Sequence, residues 1–318
     1  MPDPIGYVDI RRHKIRLPIV RIPEHVLSPG LHGRHVEIYA LLAFTAPTGS
    51  GKMIPGRYMI DAALEKGLIT PGGTLVEPTS GGMGVAMAYC AKKHDIKVVA
   101  IVSDHLPKGK LIPLLRHGAT VFTESEVSKL LGVSCGSLNS LELADLFAEQ
   151  RGAVFLNQYH NPWNPESWQR KVALQVWGFL GDAMTEAFFA VGSTGTLRGL
   201  GEPFKKLRGD SSLKVIAARP YPTQEIAGTR DESKLKEVAP GWEAVCDAIE
   251  SIDSRVARAF SQVLDLAGIP AGESSGAALA VAEHYYLDQL ARGTLAERSV
   301  AFTVFQDTTI PYRSITSA

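Results

Sequence analysis

No apolar run in this 318-residue chain approaches the roughly 20 residues that a membrane-spanning helix requires, so an integral helical membrane protein is not expected. Charge of one sign is lacking too. The 33 lysines and arginines balance 33 aspartates and glutamates, which argues against nucleic acid or an anionic membrane as an obligatory partner. Cysteine is scarce: Cys90, Cys135 and Cys246 are an odd number without close spacing. Reduced thiols are therefore expected, with neither disulfides nor a metal site. Cys90 stands at helical spacing from Ala86 and reads as a core residue. The first residues, Met1-Pro-Asp-Pro, show no basic-then-apolar leader, and a cytoplasmic location is expected. Repeats and low-complexity segments are absent from the sequence.

What is present is a regular alternation. Short β-branched or apolar runs at 36–44, 74–77, 98–102, 120–122, 154–156, 188–191, 215–218 and 300–305 read as strands. Helical patterns over 83–94, 108–116, 142–151, 166–180, 197–207, 256–267 and 277–290 lie between them. Such alternation predicts an α/β protein with mostly parallel sheets covered by helices. The polar stretch Pro220 to Gly241 reads as a surface excursion.

One stretch concentrates the chemistry. Thr45-Ala-Pro-Thr-Gly-Ser-Gly-Lys-Met-Ile-Pro-Gly-Arg-Tyr58 follows the first of these strands and precedes an apolar pattern at Met59, Ile60, Ala63 and Leu64. Strand, tight loop and helix are expected there, with Lys52 in the loop. A lysine so placed either cradles nucleotide phosphates or serves as a covalent amine for an aldehyde. A P-loop needs Ser or Thr after the lysine to hold Mg²⁺. This chain has Met53 there, and Ala46 replaces the first glycine of the pattern.

The covalent use is supported by four blocks in order along the chain. They are Ile60 to Gly84, ending Thr79-Ser80-Gly81-Gly82-Met83-Gly84; Asn157-Gln158-Tyr159-His160-Asn161-Pro162; Gly192-Ser193-Thr194-Gly195-Thr196-Leu197-Arg198-Gly199; and Ala271-Gly-Glu-Ser-Ser-Gly-Ala-Ala278. Together they resemble the cysteine synthase (O-acetylserine sulfhydrylase-like) family of pyridoxal-phosphate (PLP) enzymes. That resemblance implies fold type II, two domains with mostly parallel twisted sheets like the tryptophan synthase β subunit. It places a smaller mobile substrate-binding domain at 36–151 and a larger PLP-anchoring domain at 1–35 and 152–318. A homodimer acting on a small amino acid is implied as well.

The resemblance also assigns roles. Lys52 would hold PLP as a Schiff base and remove the substrate's α-proton. The loop Gly192, Ser193, Thr194, Gly195 and Thr196 would bind the phosphate, for which a glycine-rich turn at a helix N-terminus is suited; an ordinary strand-to-helix turn is the alternative. Ser274 would meet the pyridine nitrogen, although a serine there could instead cap a helix starting at Ala277. The substrate would be held by Thr79, Ser80, Gly81, Gly82, Met83 and Gln158. The chain departs from the family where its Asn and Thr are replaced by Gly82 and Met83, which suggests a wider and more apolar pocket. The family's glycine-rich loop is not recognisable at 225–237, and its C-terminal motif appears as Asp307-Thr-Thr-Ile-Pro-Tyr312. The implied reaction is β-replacement through an aminoacrylate. β-Elimination and a non-catalytic interaction protein that keeps the fold are the alternatives.

Overall fold

The computed structural model describes residues 1–10 and 15–309; Tyr312 of the altered C-terminal motif lies outside them. Among the described residues, eleven strands run in chain order as β1 (Pro4–Ile10), β2 (Ile15–Arg21), β3 (Val36–Leu42), β4 (Thr74–Pro78), β5 (Lys97–Val102), β6 (Thr120–Thr123), β7 (Val154–Phe155), β8 (Glu186–Ala190), β9 (Lys214–Pro220), β10 (Ala248–Ile252) and β11 (Ser299–Phe305). They form a seven-stranded sheet of order β1-β2-β3-β11-β8-β9-β10 and a four-stranded sheet of order β6-β5-β4-β7. Each sheet belongs to a different compact unit. One unit comprises Met1–Gly51 and the described chain from Pro165 onward; the other is Lys52–Asn164.

In the seven-stranded sheet β1 and β2 are antiparallel, and β2 meets β3 antiparallel. The remaining pairs are parallel. β11 lies at the centre, paired with β3 from Ser299↔Val36 to Phe305↔Leu42, and all seven of its residues are buried. Helices on both faces leave a parallel strand no solvent side, which is why Ser-Val-Ala-Phe-Thr-Val-Phe shows almost no polar alternation. The core here joins Leu42, Phe188, Ile216, Leu279, Tyr286 and Phe305. In the four-stranded sheet every pair is parallel, and Val76, Val99, Ile101, Val127, Leu143 and Phe147 form its core. Burying each such side chain contributes roughly 1.5–3 kcal/mol.

Three expectations change. The strand at Val36 was expected to open the smaller domain, but it is locked between β2 and β11 along the larger sheet. The smaller unit therefore begins at Lys52, and it runs past Arg151 to Asn164 because β7 pairs with β4. The stretch Pro220 to Gly241 is not merely superficial: Ile226, Leu235 and Val238 are buried, and it includes a short helix Glu232–Leu235 capped by Asp231. Finally, the last long helix spans Glu273–Arg292 with Gly272 as its N-cap. Ser274 thus lies inside the first turn and is not the cap.

Candidate active site

The lysine turn folds as its composition demands. After β3 the chain makes a short turn at Ala43–Thr45, bends through Gly49 with a positive φ of 71°, and enters the helix Met53–Glu65 with Lys52 at its N-cap. Met59, Ile60 and Ala63 are fully buried, so the helix is held by its apolar stripe. Within the same unit, Lys52 Nζ lies 3.4 Å from Gln158 Oε1. Met53 is buried and accepts a contact from the Cys90 thiol at 3.6 Å, and burial pushes that thiol up to about 12. Met53 thus serves the core, which agrees with its unsuitability as a cation ligand.

The loop after β4 is built around Thr79. Its hydroxyl oxygen accepts from the Gly81 amide at 3.0 Å and the Gly84 amide at 3.1 Å, closing the first turn of the helix Gly82–Ala91. Gly81 has φ 137°, a region that a side chain would disfavour. Ser80 is exposed and Gly82 half-buried. Met83 departs from the expected apolar pocket wall. It is 2 % exposed, and its sulfur would lie 3.4 Å from a Cβ placed on Gly56, so it fills the contact between two helices.

Gln158 follows Asn157, whose φ is 51°. The turn is stitched by Asn161 Nδ2 donating to Leu156 O at 2.7 Å and Asn164 Nδ2 donating to Gln158 O at 2.7 Å. Beneath it lies Glu77 of β4, fully buried. Its two oxygens accept the Asn157 amide at 3.1 Å and the Gln158 amide at 3.0 Å. Desolvation pushes this carboxyl up to about 7, against the lowering effect of hydrogen bonds from Gln158 and Asn157 and of the Lys52 charge.

In the other unit, β8 leads through Gly192, Ser193 and Thr194 into the helix Gly195–Arg208. Thr194 adopts a left-handed φ of 58°, Ser193 and Thr194 are nearly buried, and the Thr194 side chain does not cap the helix. The first-turn N–H groups of such a helix carry a positive partial charge suited to an anion. A Cβ on Gly192 would collide with the Gly228 carbonyl oxygen. Gly228 in turn approaches Ser274, whose hydroxyl would lie 3.9 Å from a Cβ there. Ser274 is 5 % exposed. Gln306 donates from Nε2 to Thr196 Oγ1 at 3.0 Å, while its backbone carbonyl accepts the Gly51 amide at 2.7 Å. It thus ties the loop at Thr196 to the residue preceding Lys52.

Sequence reasoning missed Glu77, Gly228 and Gln306. A charged residue inside the otherwise apolar Thr-Leu-Val-Glu-Pro strand was the available sign for Glu77. Gly228 had no sign, because its importance comes from contact with residues far away in sequence.

Within the seven-stranded unit, a helix start, a closely approached glycine loop and a buried serine form a donor set that fits a phosphorylated cofactor. Within the other unit, Lys52 opens its helix with an amine of the kind an aldehyde takes. Residues 10–307 match the family of pyridoxal-phosphate dependent enzymes. The chain belongs to that family. It is 30% identical to the O-ureido-L-serine synthase of Streptomyces lavendulae over 85% of this chain and 82% of that protein. It is 29% identical to a cysteine synthase of Helicobacter pylori, over 87% of this chain and 88% of that protein. Among solved structures, O-ureido-L-serine synthase superposes with a TM-score of 0.79 at 26% identity, covering 94% of this chain and 91% of that one. The O-acetylserine dependent cystathionine β-synthase from Helicobacter pylori gives 0.78 at 25% identity, with 94% and 95% covered. The protein is a PLP-dependent, cysteine-synthase-like enzyme of fold type II.

Proposed function

We propose that this enzyme carries out β-replacement on a small, O-substituted serine, with Lys52 as the residue that binds PLP covalently and moves the α-proton. The observation that carries this assignment is the setting of Lys52 at the opening of a buried helix, with its nitrogen 3.4 Å from the Gln158 amide oxygen. When bound, PLP supplies the electron sink that allows Cα to lose its proton and Cβ its substituent. The backbone amides of Gly192 to Thr196 would take the phosphate. Ser274 would face the ring nitrogen with a neutral hydroxyl, which does not force that nitrogen to stay protonated. Lys52 Nζ would take the proton from Cα and return it. Ser80, Gly81, Gly82 and Gln158 would hold the substrate carboxylate. The Thr79 oxygen already accepts two amides, so Thr79 shapes this loop and offers only its hydroxyl hydrogen. Met83 contributes through its backbone, because its side chain is spent on Gly56.

The smaller unit would be the substrate-binding domain and the larger one the PLP anchor. A cytoplasmic homodimer completes the proposal; the free thiols Cys90, Cys135 and Cys246 are consistent with a reducing compartment. Borohydride reduction of PLP-loaded protein, followed by peptide mapping, should place the pyridoxyl group on Lys52. O-acetyl- and O-ureidoserine supplied with a panel of nucleophiles should then yield a β-substituted product. Label on another lysine rejects the assignment of Lys52. Keto acid and ammonia without a substituted product would make the protein a β-elimination lyase, and PLP binding without any turnover would make it an interaction protein.

A further inference from the structure

A buried carboxylate is costly unless its oxygens are satisfied, and Glu77 sits in β4 between the buried Val76 and Pro78. Its satisfaction is lopsided. Both backbone donors come from the consecutive residues Asn157 and Gln158, and the Gln158 side chain adds a further hydrogen bond. Because the Gln158 amide oxygen is the end that meets Lys52 Nζ, the end turned to Glu77 is the NH₂ group, which donates to a carboxyl oxygen. Lys52 Nζ as an ammonium only donates. Acceptor, donor, acceptor and donor thus alternate from Glu77 to Lys52 in one direction.

We infer that Glu77 is a positioning residue for Lys52, acting through Gln158: the carboxylate clamps the turn at Asn157 and Gln158 and fixes which end of the amide is offered to the lysine nitrogen. An amide oxygen that holds one lysine N–H leaves the lone pair of the neutral amine pointing elsewhere, toward its electrophile. The second hydrogen of the Gln158 NH₂ group stays available to a substrate carboxylate. Replacing the carboxylate by an amide removes the direction, since an amide at position 77 can meet Gln158 with either end. The inference rests on Lys52 as the PLP-bearing residue.

The test uses the full chain and measures the rate at which PLP added to apoprotein becomes covalently attached, read by its visible band and by borohydride trapping at the Lys52 peptide. Glu77→Gln and Gln158→Leu should each slow attachment by about tenfold, the worth of a hydrogen bond to a charged group. The double variant should be no slower than the slower single one, because both act through the same amide. Near-UV circular dichroism identifies the folded fraction. A folded Glu77→Gln protein that loads PLP at the parent rate, or effects that multiply in the double variant, would overturn the inference. If Glu77→Gln does not fold, Gln158→Leu carries the test alone, and an unchanged rate there has the same force. Lys52→Ala separates the two assignments. Covalent attachment that survives this change rejects Lys52 itself, whereas attachment that needs Lys52 but ignores Glu77 and Gln158 rejects the positioning role only.

Discussion

Gly192 and Gly228 approach each other so closely that a Cβ on Gly192 would strike the Gly228 carbonyl oxygen. The two residues lie on different loops of the seven-stranded unit, one after β8 and one after β9. Gly192→Ala should force them apart. Overpacking of this kind costs roughly 1–3 kcal/mol, and the displaced loop is the one proposed to hold the phosphate. PLP affinity should fall about tenfold or more in fluorescence titration while circular dichroism shows a folded chain. Normal PLP affinity would reduce the loop to an ordinary strand-to-helix turn.

Glu77 gives a pH signature. Its folded-state value, about 7, lies above the ordinary 4.5 because burial disfavours the charged form. The folded state therefore binds this proton more tightly than the unfolded chain does. The stability it contributes is complete below pH 4.5 and is lost as pH rises through about 7, by a quantity on the order of 3 kcal/mol. Urea unfolding of the apoprotein across this window should show the decline, and Glu77→Gln should flatten it. An equal slope in both proteins would mean that other groups cause it.

Gly82 and Met83, neighbours in the altered loop, should respond differently to restoration of the family residues. Gly82→Asn adds a donor at a half-buried position and should raise kcat/KM for O-acetylserine about tenfold, the worth of one hydrogen bond to a carboxylate. Met83→Thr removes a buried side chain from its contact with Gly56 and should cost roughly 2–4 kcal/mol in unfolding experiments. Steady-state kinetics and urea melts on the two single variants distinguish these effects. A Met83→Thr protein of parental stability with an improved small-substrate rate would show that position 83 lines the pocket.

Thr79 should prove structural first. Thr79→Val keeps the shape but leaves the Gly81 and Gly84 amides without their acceptor, at a cost of about 0.5–2 kcal/mol, as for a lost helix cap. Thr79→Ser should retain most of that stability. Thermal melts of the three proteins check the order, and a Val variant as stable as the parent would remove the capping role.

Several local devices were readable in advance because they depend on neighbours in the chain. The glycine turn before Lys52, the apolar stripe of the helix behind it, and the strand-to-helix passage at Gly192 to Thr196 are all patterns within a dozen residues. The capping box of Thr123 and Glu126, which opens the helix Glu124–Leu131, was equally local. It was passed over. The antiparallel pair β1 and β2 was missed for another reason: its strands carry Arg16, Arg21 and Asp9 on exposed or edge positions, and only pairing with β3 reveals the buried face of Val8, Leu17 and Ile19.

Composition and order along the chain were enough to establish parallel α/β architecture, the PLP family and a lysine in a helix-opening turn, because periodicity and turn chemistry are written residue by residue. Tertiary packing alone assigned Val36–Leu42 to the larger sheet, sent the Met83 sulfur into a helix contact, placed Ser274 within a helix turn and buried Glu77 under Gln158. Each of these depends on which distant backbone lies alongside. A carboxylate in a strand reads the same in sequence whether it faces water or a neighbouring turn; only the fold withdraws the water and leaves two amides and a glutamine in its place.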